Sequence, residues 1–291
     1  LHPALMLMNV SIADLESADV VLLVGTDPRF EAPLVNTRLR KAWLRGDCTF
    51  GLLGPRPARD LGYDVEHFGD VLDASAVSAK FLKKLGAAKR PVLLIGQSAL
   101  GCVKDLDRLI TDNLSREDWN GFAVLNRSAA RTGALSLGYH RELQKGAKFV
   151  YLLNSDNPDF IQSIPEDAFV VYQGHSGEAG AMRADVVLPG AAYTEKAATF
   201  VNIEGRPQLT AAAVPPPGDA RPDWAIVRAL SEFCGRPLPI DSVEEARLLL
   251  KQHAKLFNDY DVPNPVICNS EELRKAARGL KPRAFGGLPI K

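Results

Sequence analysis

The residues that could do metal or nucleophile chemistry in this 291-residue chain are few and scattered: four cysteines and five histidines. Cys48, Cys102, Cys234 and Cys268 form no C-x-x-C pair. Structural zinc and iron–sulfur centres usually draw two ligands from one tight turn, because neighbouring thiolates must meet one ion. The spacing predicts reduced thiols and no metal ligand. His175-Ser176-Gly177-Glu178 follows an apolar run, where an imidazole and a carboxylate could exchange protons with a substrate. No third partner accompanies them, so a polar loop outweighs an acid–base pair. His67, between Glu66 and Asp70, reads as a solvated surface group in the same way. Ser98 stands in Gly96-Gln97-Ser98-Ala99-Leu100, and a nucleophile elbow needs Gly at the position Leu100 holds. Arg127 and Arg131 flank Ser128 and leave two readings open, an anion held at a helix start or a face turned to solvent or a partner. Neither Gly-x-Gly-x-x-Gly nor a P-loop is present, which argues against the common modes of NAD and ATP binding.

The elements that must position these residues alternate. Val20 to Val24 is a continuous apolar run of the kind buried on both faces of a parallel sheet. Gly25-Thr26-Asp27-Pro28 ends it. Pro33 suits a first helical turn, Val35, Leu39, Ala42 and Trp43 follow at helical spacing, and Gly46 terminates the helix. Further strands are expected at 48–53, 91–96, 122–125, 149–153, 169–172 and 186–188. Helices are expected from Ser11, over 74–85, 103–114 and 129–137, from Pro222, and over 243–257. Such alternation implies βαβ units with right-handed crossovers, an α/β fold with doubly wound, mostly parallel sheets. Residues 199–210 read as a β excursion and Pro215-Pro216-Pro217-Gly218 as a stiff linker. The segment after Asp261 reads as an extended tail. Asn154-Ser155-Asp156-Asn157-Pro158 repeats the turn at Gly25, so two related α/β domains are expected, 1–141 and 142–240, with a helix and tail over 241–291.

Lysine plus arginine and aspartate plus glutamate both number 35, so no net field draws the chain to nucleic acid or anionic lipid. No apolar run reaches the roughly 20 residues of a membrane span. Residues 1–10 lack the basic flank and cleavage site of a signal or transit peptide, and Leu1 suggests a processed or partial chain.

The most specific stretch runs from Ala184-Asp185-Val186-Val187-Leu188-Pro189 through Glu195 to Thr199-Phe200-Val201-Asn202-Ile203-Glu204-Gly205-Arg206-Pro207-Gln208. It resembles the signature of the molybdopterin oxidoreductases, and the Asp-Pro and Asn-Pro strand ends resemble that family's cofactor loops. Within it, Ala18 to Lys41, Tyr172-Gln173-Gly174-His175, Leu188 to Lys196 and Pro216 to Leu230 with Asp223-Trp224 resemble the C-terminal part of the 75-kDa iron–sulfur subunits of respiratory complex I, with coverage from residue 1 to about 260.

The resemblance carries these expectations. The family's cluster-binding cysteines lie upstream of the matched region, and so does the metal ligand of its molybdenum enzymes. Ala198 stands where active relatives have Gly. The resemblance thus implies no catalytic residue and no metal in this chain, and only vestigial strand-end loops at Gly25, Asp27, Asn157, Asn202 and Gly205. Iron–sulfur clusters are expected in a partner chain or an upstream segment. It implies a structural and assembly role in the peripheral arm of complex I, a subunit of a proton-translocating NADH:ubiquinone oxidoreductase, with other peripheral-arm subunits as partners and no nucleic acid or direct membrane span. The expected location is the matrix side of the mitochondrial inner membrane, or else the cytoplasmic face of a bacterial membrane. A domain that starts partway would expose a sheet edge, so a split subunit completed by another polypeptide is also expected. The alternative is the C-terminal half of an active molybdopterin-dependent enzyme such as a formate dehydrogenase.

Overall fold

All five residues of strand β1 (Val20–Val24) are buried, because a parallel strand in mid-sheet has helices on both sides. A computed structural model describes residues 2–139 and 143–285. After β1 come α1 (Pro28–Glu31), α2 (Pro33–Leu44), β2 (Thr49–Leu53), β3 (Glu66–His67), α3 (Ala79–Ala87) and β4 (Pro91–Gly96). A short antiparallel pair, β5 (Ser115–Arg116) and β6 (Trp119–Asn120), leads into β7 (Phe122–Leu125) and α4 (Arg131–Ser136). The sheet order is β3-β2-β1-β4-β7, every pairing parallel. Successive residues face opposite ways. Val21, Leu23, Phe50 and Leu94 therefore pack with Val35, Leu39 and Ala42 of α2, while Leu22, Leu93 and Val124 pack on the other face with Phe81 and Leu85 of α3.

The second half holds β8 (Phe149–Leu153), α5 (Pro158–Gln162), β9 (Phe169–Gly174), α6 (Ala179–Arg183) and β10 (Val186–Pro189), with parallel sheet order β10-β9-β8. Val150, Leu152, Val170 and Tyr172 pack on Ile161 of α5 and against Ala179 and Ala181 of α6. Alternate residues on the other face behave differently: Phe149, Leu153 and Phe169 are 58%, 51% and 47% exposed. These strands were expected to be buried on both sides, as their apolar runs imply; on this face Val171 and Gln173 are buried, Gln173 against Asp223, while Phe149, Leu153 and Phe169 stay exposed among the described residues. A hairpin, β11 (Ala198–Val201) with β12 (Pro207–Thr210), confirms the β excursion. Then follow α7 (Asp223–Phe233), α8 (Val243–His253) and α9 (Ser270–Arg278); α7 and α8 bury no residue.

The chain divides into two compact units otherwise than the expected 1–141, 142–240 and 241–291. The first comprises Leu1–Leu137, Val201–Pro207 and Asp261–Lys291, the second Gly138–Phe200 and Gln208–Tyr260. The expected boundary at Arg141 and Glu142 lies outside the described residues. The expected C-terminal region is divided, because the tail is not extended throughout. Asn269 and Glu272 form a reciprocal capping box that starts α9, and Cys268, Leu273 and Ala277 are buried in the first unit's core.

Other differences have local causes. Residues 103–114 hold only one 3-10 turn, Leu106–Leu109, because Gly101 and Asp105 take positive φ of 88° and 54°, and left-handed backbone stops a helix. The helix expected over 74–85 breaks at Ser78, whose hydroxyl caps α3 at the Phe81 N–H. Extended Ala254 ends α8 before a 3-10 turn at Lys255–Phe257, and the helix expected from Ser11 is a 3-10 turn at Asp14–Ser17.

Candidate functional site: the strand-end loops

Neighbours added on either side of β1 make its carboxyl end the switch point of the first sheet, the usual place for a ligand in an open α/β sheet. Here the loops close on themselves. Gly25 turns the chain with φ +51°, and a Cβ on it would stand 2.5 Å from that of Ala99 and 3.2 Å from Leu72. A Cβ on Gly96 would stand 2.3 Å from the Gly25 carbonyl oxygen. Asp27 Oδ1 accepts from the Phe30 N–H at 3.2 Å and so caps α1, with Pro28 in its first turn. Glu31 Oε1 accepts from the Asp27 N–H at 2.8 Å and from the Thr26 hydroxyl at 2.9 Å. Burial pushes the Glu31 carboxyl above the ordinary range, opposed by those two donors and by the charge of Arg127. Its Oε2 is buried without a hydrogen-bond partner.

The second unit repeats the device. Asn154 follows β8 with φ +49°, as Gly25 follows β1. Asn157 Oδ1 accepts from the Phe160 N–H at 2.9 Å and caps α5, with Pro158 next to it. The added residue, Asp156, accepts from the Gly180 N–H at 2.9 Å through Oδ1. Its Oδ2 accepts from the Tyr172 hydroxyl at 2.9 Å and the Ser176 hydroxyl at 3.1 Å. Burial raises the Tyr172 phenol, with the Asp156 charge adding to it. In both units a nearby carboxylate, Glu31 at the end of α1 in the first and Asp156 of the loop in the second, sits on donors at the sheet's carboxyl edge.

Asn202 and Gly205 belong to the tip of the β11–β12 hairpin. Asn202 Oδ1 accepts from the Glu204 and Arg206 N–H groups, each at 3.0 Å, and Gly205 supplies a φ of +71°. Glu204, 6% exposed, accepts from the Ile12 N–H and from Asn202 Nδ2. This signature loop thus anchors the hairpin tip to the chain's opening segment. The structure groups Gly25 with Asp27, and Asn202 with Gly205, and puts Asn157 in the other unit.

The remaining candidates do not assemble. His175 and Glu178 are exposed, and His175 Nδ1 lies 3.0 Å from Asn154 Oδ1. Nε2 of His67 lies 2.9 Å from the Gly54 carbonyl oxygen and 3.4 Å from Asp70 Oδ1. Ser98 Oγ is buried with no hydrogen-bond partner. Arg127 is exposed, whereas Arg131 is half-buried beside Arg283, and burial lowers its pKa. Among the described residues no three His, Cys, Asp or Glu stand close enough to hold a metal ion, and no helix is long and apolar enough to cross a membrane. Two clefts, of about 390 and 200 Å³, are lined by residues 101–107 with α9, and by Asn9, Ser11 and Trp119 with residues 265–267. None of the strand-end residues lines them. Glu31, Asp156 and Glu204 were missed in the sequence. The one available signal was a carboxylate four residues beyond Asp27, within reach of a helix N-terminus.

The family model for molybdopterin oxidoreductases matches residues 4–233. The chain belongs to the molybdopterin oxidoreductase family. It is 44% identical over 275 residues to the mitochondrial 78-kDa subunit of NADH-ubiquinone oxidoreductase from Neurospora crassa, covering 89% of this chain and 36% of that one. It is 43% identical to the 78-kDa subunit of Candida albicans, over 92% of this chain and 38% of the relative. Against the 75-kDa subunit of Reclinomonas americana the identity is 41%, over 90% and 41%. The chain therefore spans about two-fifths of the length of these relatives, and it resembles their C-terminal part, as the motifs implied.

Proposed function

We propose that this chain is a structural, cofactor-free component of NADH:ubiquinone oxidoreductase, placed in the peripheral arm on the matrix side of the mitochondrial inner membrane. The observation that carries the reading is the pair of carboxylates, Glu31 of α1 and Asp156 of the β8–α5 loop, on the strand-end donors. The family's cofactor is a pterin with nucleotide arms, and its phosphates would need such backbone N–H and hydroxyl donors. A phosphate brought to them would meet a carboxylate instead. Two unit charges about 4 Å apart repel by roughly 4 kcal/mol at an effective dielectric of 20, and the phosphate would also lose the donors. The loops and the pterin's arms do not fit, and no redox step runs through this chain in the proposed role. What it supplies is an α/β scaffold against which cluster-bearing polypeptide is held. Relatives named as subunits of this oxidoreductase support the assembly.

The test is to purify the assembly containing this chain from its native membranes and determine polypeptides and metals by mass spectrometry. Recovery with NADH-oxidising activity and iron, without stoichiometric molybdenum, is the expected result. Stoichiometric molybdenum and pterin would overturn it in favour of an active molybdopterin enzyme.

A further inference from the structure

Arg127 and Arg131 leave two readings open in the sequence, and the structure separates the two residues. The charge of Arg127 acts on Glu31, at the loop already described. Arg131 opens α4, half-buried, and its Nε is buried with no hydrogen-bond partner. A guanidinium withdrawn from water is ordinarily compensated by a carboxylate. Here the neighbouring charge is a second cation, Arg283, from the segment after α9; burial first, and then that charge, lower the Arg131 pKa. Backbone hydrogen bonds hold the pair in place. The Arg283 N–H donates to the Gly101 carbonyl at 2.9 Å, where Gly101 turns the loop after β4 with φ +88°. The Arg127 N–H donates to Gln97 Oε1 at 3.1 Å, so the loop after β7 is tied to that same β4 loop. Ala130, φ +59°, then turns the chain into α4, and the Arg131 N–H donates to the Ser128 carbonyl at 3.2 Å. Three stretches distant in sequence thus converge at the carboxyl edge of the first sheet and set two guanidinium charges near each other.

Like charges brought together by a fold repel, and an apolar side chain would fill the same space without that cost. The six residues of α4 are too few for its N-terminus to make an anion site, so the attracting charge must be that of the side chains. We propose that Arg131 and Arg283 together bind a phosphate group, one strand along the sheet from the β1 loop that Glu31 closes. A carboxylate would neutralise one of the two charges, whereas a phosphate dianion neutralises both and presents several oxygens to the planar donor forks. Beside Arg283 opens a cleft of about 390 Å³. Leu106, Ala277, Leu280 and Pro282 give it apolar lining, and its Lys104 and Arg278 are already paired, with Asp73 at 3.0 Å and Asp107 at 2.9 Å. Such a cleft has room for the organic part of a phosphate monoester, and Asp105, which also lines it, disfavours a second anionic group there. Free phosphate and a monoester offer the arginines the same group. The site goes beyond the proposed assembly role and does not rest on it.

The test is titration of the full chain with inorganic phosphate and with adenosine monophosphate, at about pH 7.5, where the phosphate group is a dianion. Isothermal calorimetry and melting temperature read it, against sodium chloride at matched ionic strength. Expected is one saturable site, with a melting temperature that climbs with the logarithm of ligand concentration. Arg131→Gln and Arg283→Gln should each weaken binding about tenfold or more. Arg131→Lys, which keeps the charge and loses the fork, should also weaken it. Arg59→Gln, which removes the same charge from another exposed arginine, should leave it unchanged. Arg283 is exposed, so Arg283→Gln carries the test if Arg131→Gln does not fold. Binding of both probes identifies the phosphate as the recognised group, binding of inorganic phosphate alone assigns the site to the free anion, and binding of adenosine monophosphate alone assigns it to an ester whose organic part fills the cleft. No response beyond the chloride control with either probe, or binding that survives both glutamine variants, overturns the proposal.

Discussion

Leu273 is the residue on which the place of the C-terminal segment turns. It is fully buried, on a helix whose other faces carry Glu271, Lys275 and Arg278, and it joins the core that holds Leu22, Leu93 and Phe122. Leu273→Ala removes the transfer free energy of the lost carbons and leaves a cavity, together about 2–5 kcal/mol for buried leucines. The surroundings of α9 are fixed by more than packing. Ser270 Oγ accepts from the Ser115 N–H at 3.0 Å and Ser115 Oγ donates to the Cys268 carbonyl, so the helix cannot simply slide into the void. A loss near the middle of that range, about 3 kcal/mol, is expected. For a domain of this size that lowers the melting temperature by roughly 6–12 °C. Thermal unfolding of the full chain, followed by limited proteolysis to locate the first cuts, measures it. Cleavage past residue 261 should become faster in the variant. A change under about 0.5 kcal/mol, the range of an ordinary surface substitution, would refute the docked helix and restore the extended tail.

The Glu31 carboxyl is raised by burial, so folding favours its protonated form. Wild-type stability should therefore increase as pH falls from neutral through the raised pKa toward the ordinary glutamate range, relative to Glu31→Gln, and a wild type that instead gains stability over the variant as pH rises in denaturant titrations would contradict the placement. Asp156→Ala leaves the Gly180 N–H and two hydroxyls without their acceptor and should cost about 1–3 kcal/mol, seen as faster hydrogen exchange over residues 172–180; Asp156→Asn, which keeps one carbonyl oxygen, should cost less. Asn9 donates to the Ala4 and Phe122 carbonyls and accepts from the Val266 N–H, so Asn9→Ala should cost about 2–3 kcal/mol in the same unfolding assay. Burial pushes the Cys48 thiol up to about 12, whereas Cys234 is exposed. Alkylation at pH 8, followed by mass spectrometry, should mark Cys234 in the folded chain and Cys48 only after unfolding.

Periodicity made the strands legible: Val20 to Val24 and Pro91 to Gly96 are apolar without interruption because both faces are buried. The same reasoning misjudged Phe149 to Leu153, whose run is equally apolar but has one bare face in this chain. A sequence reports what a strand is suited to meet, and its partner can lie elsewhere. The helix at 270–278 escaped because its nine residues are mostly charged and follow a Pro- and Asn-rich stretch; the Asn269–Glu272 spacing was the available cue. The strand-end loops were located from Gly25, Asp27 and Asn157, since turn chemistry is local. That Glu31 and Asp156 would occupy the donors was not visible, because a carboxylate's partner depends on how a loop folds back.

The first unit is assembled from three stretches of chain, the last of them beginning at Asp261. On a ribosome its sheet can form once β7 has emerged, but the groove awaiting Leu273 and Ala277 stays open while the whole second unit is made. At roughly 5–20 residues per second that interval lasts on the order of 6–25 seconds. Leu106 and Leu109, which α9 will cover, face water throughout. A nascent chain of this design needs shelter late in synthesis, and any premature stop before α9 yields a nearly finished unit with an adhesive side.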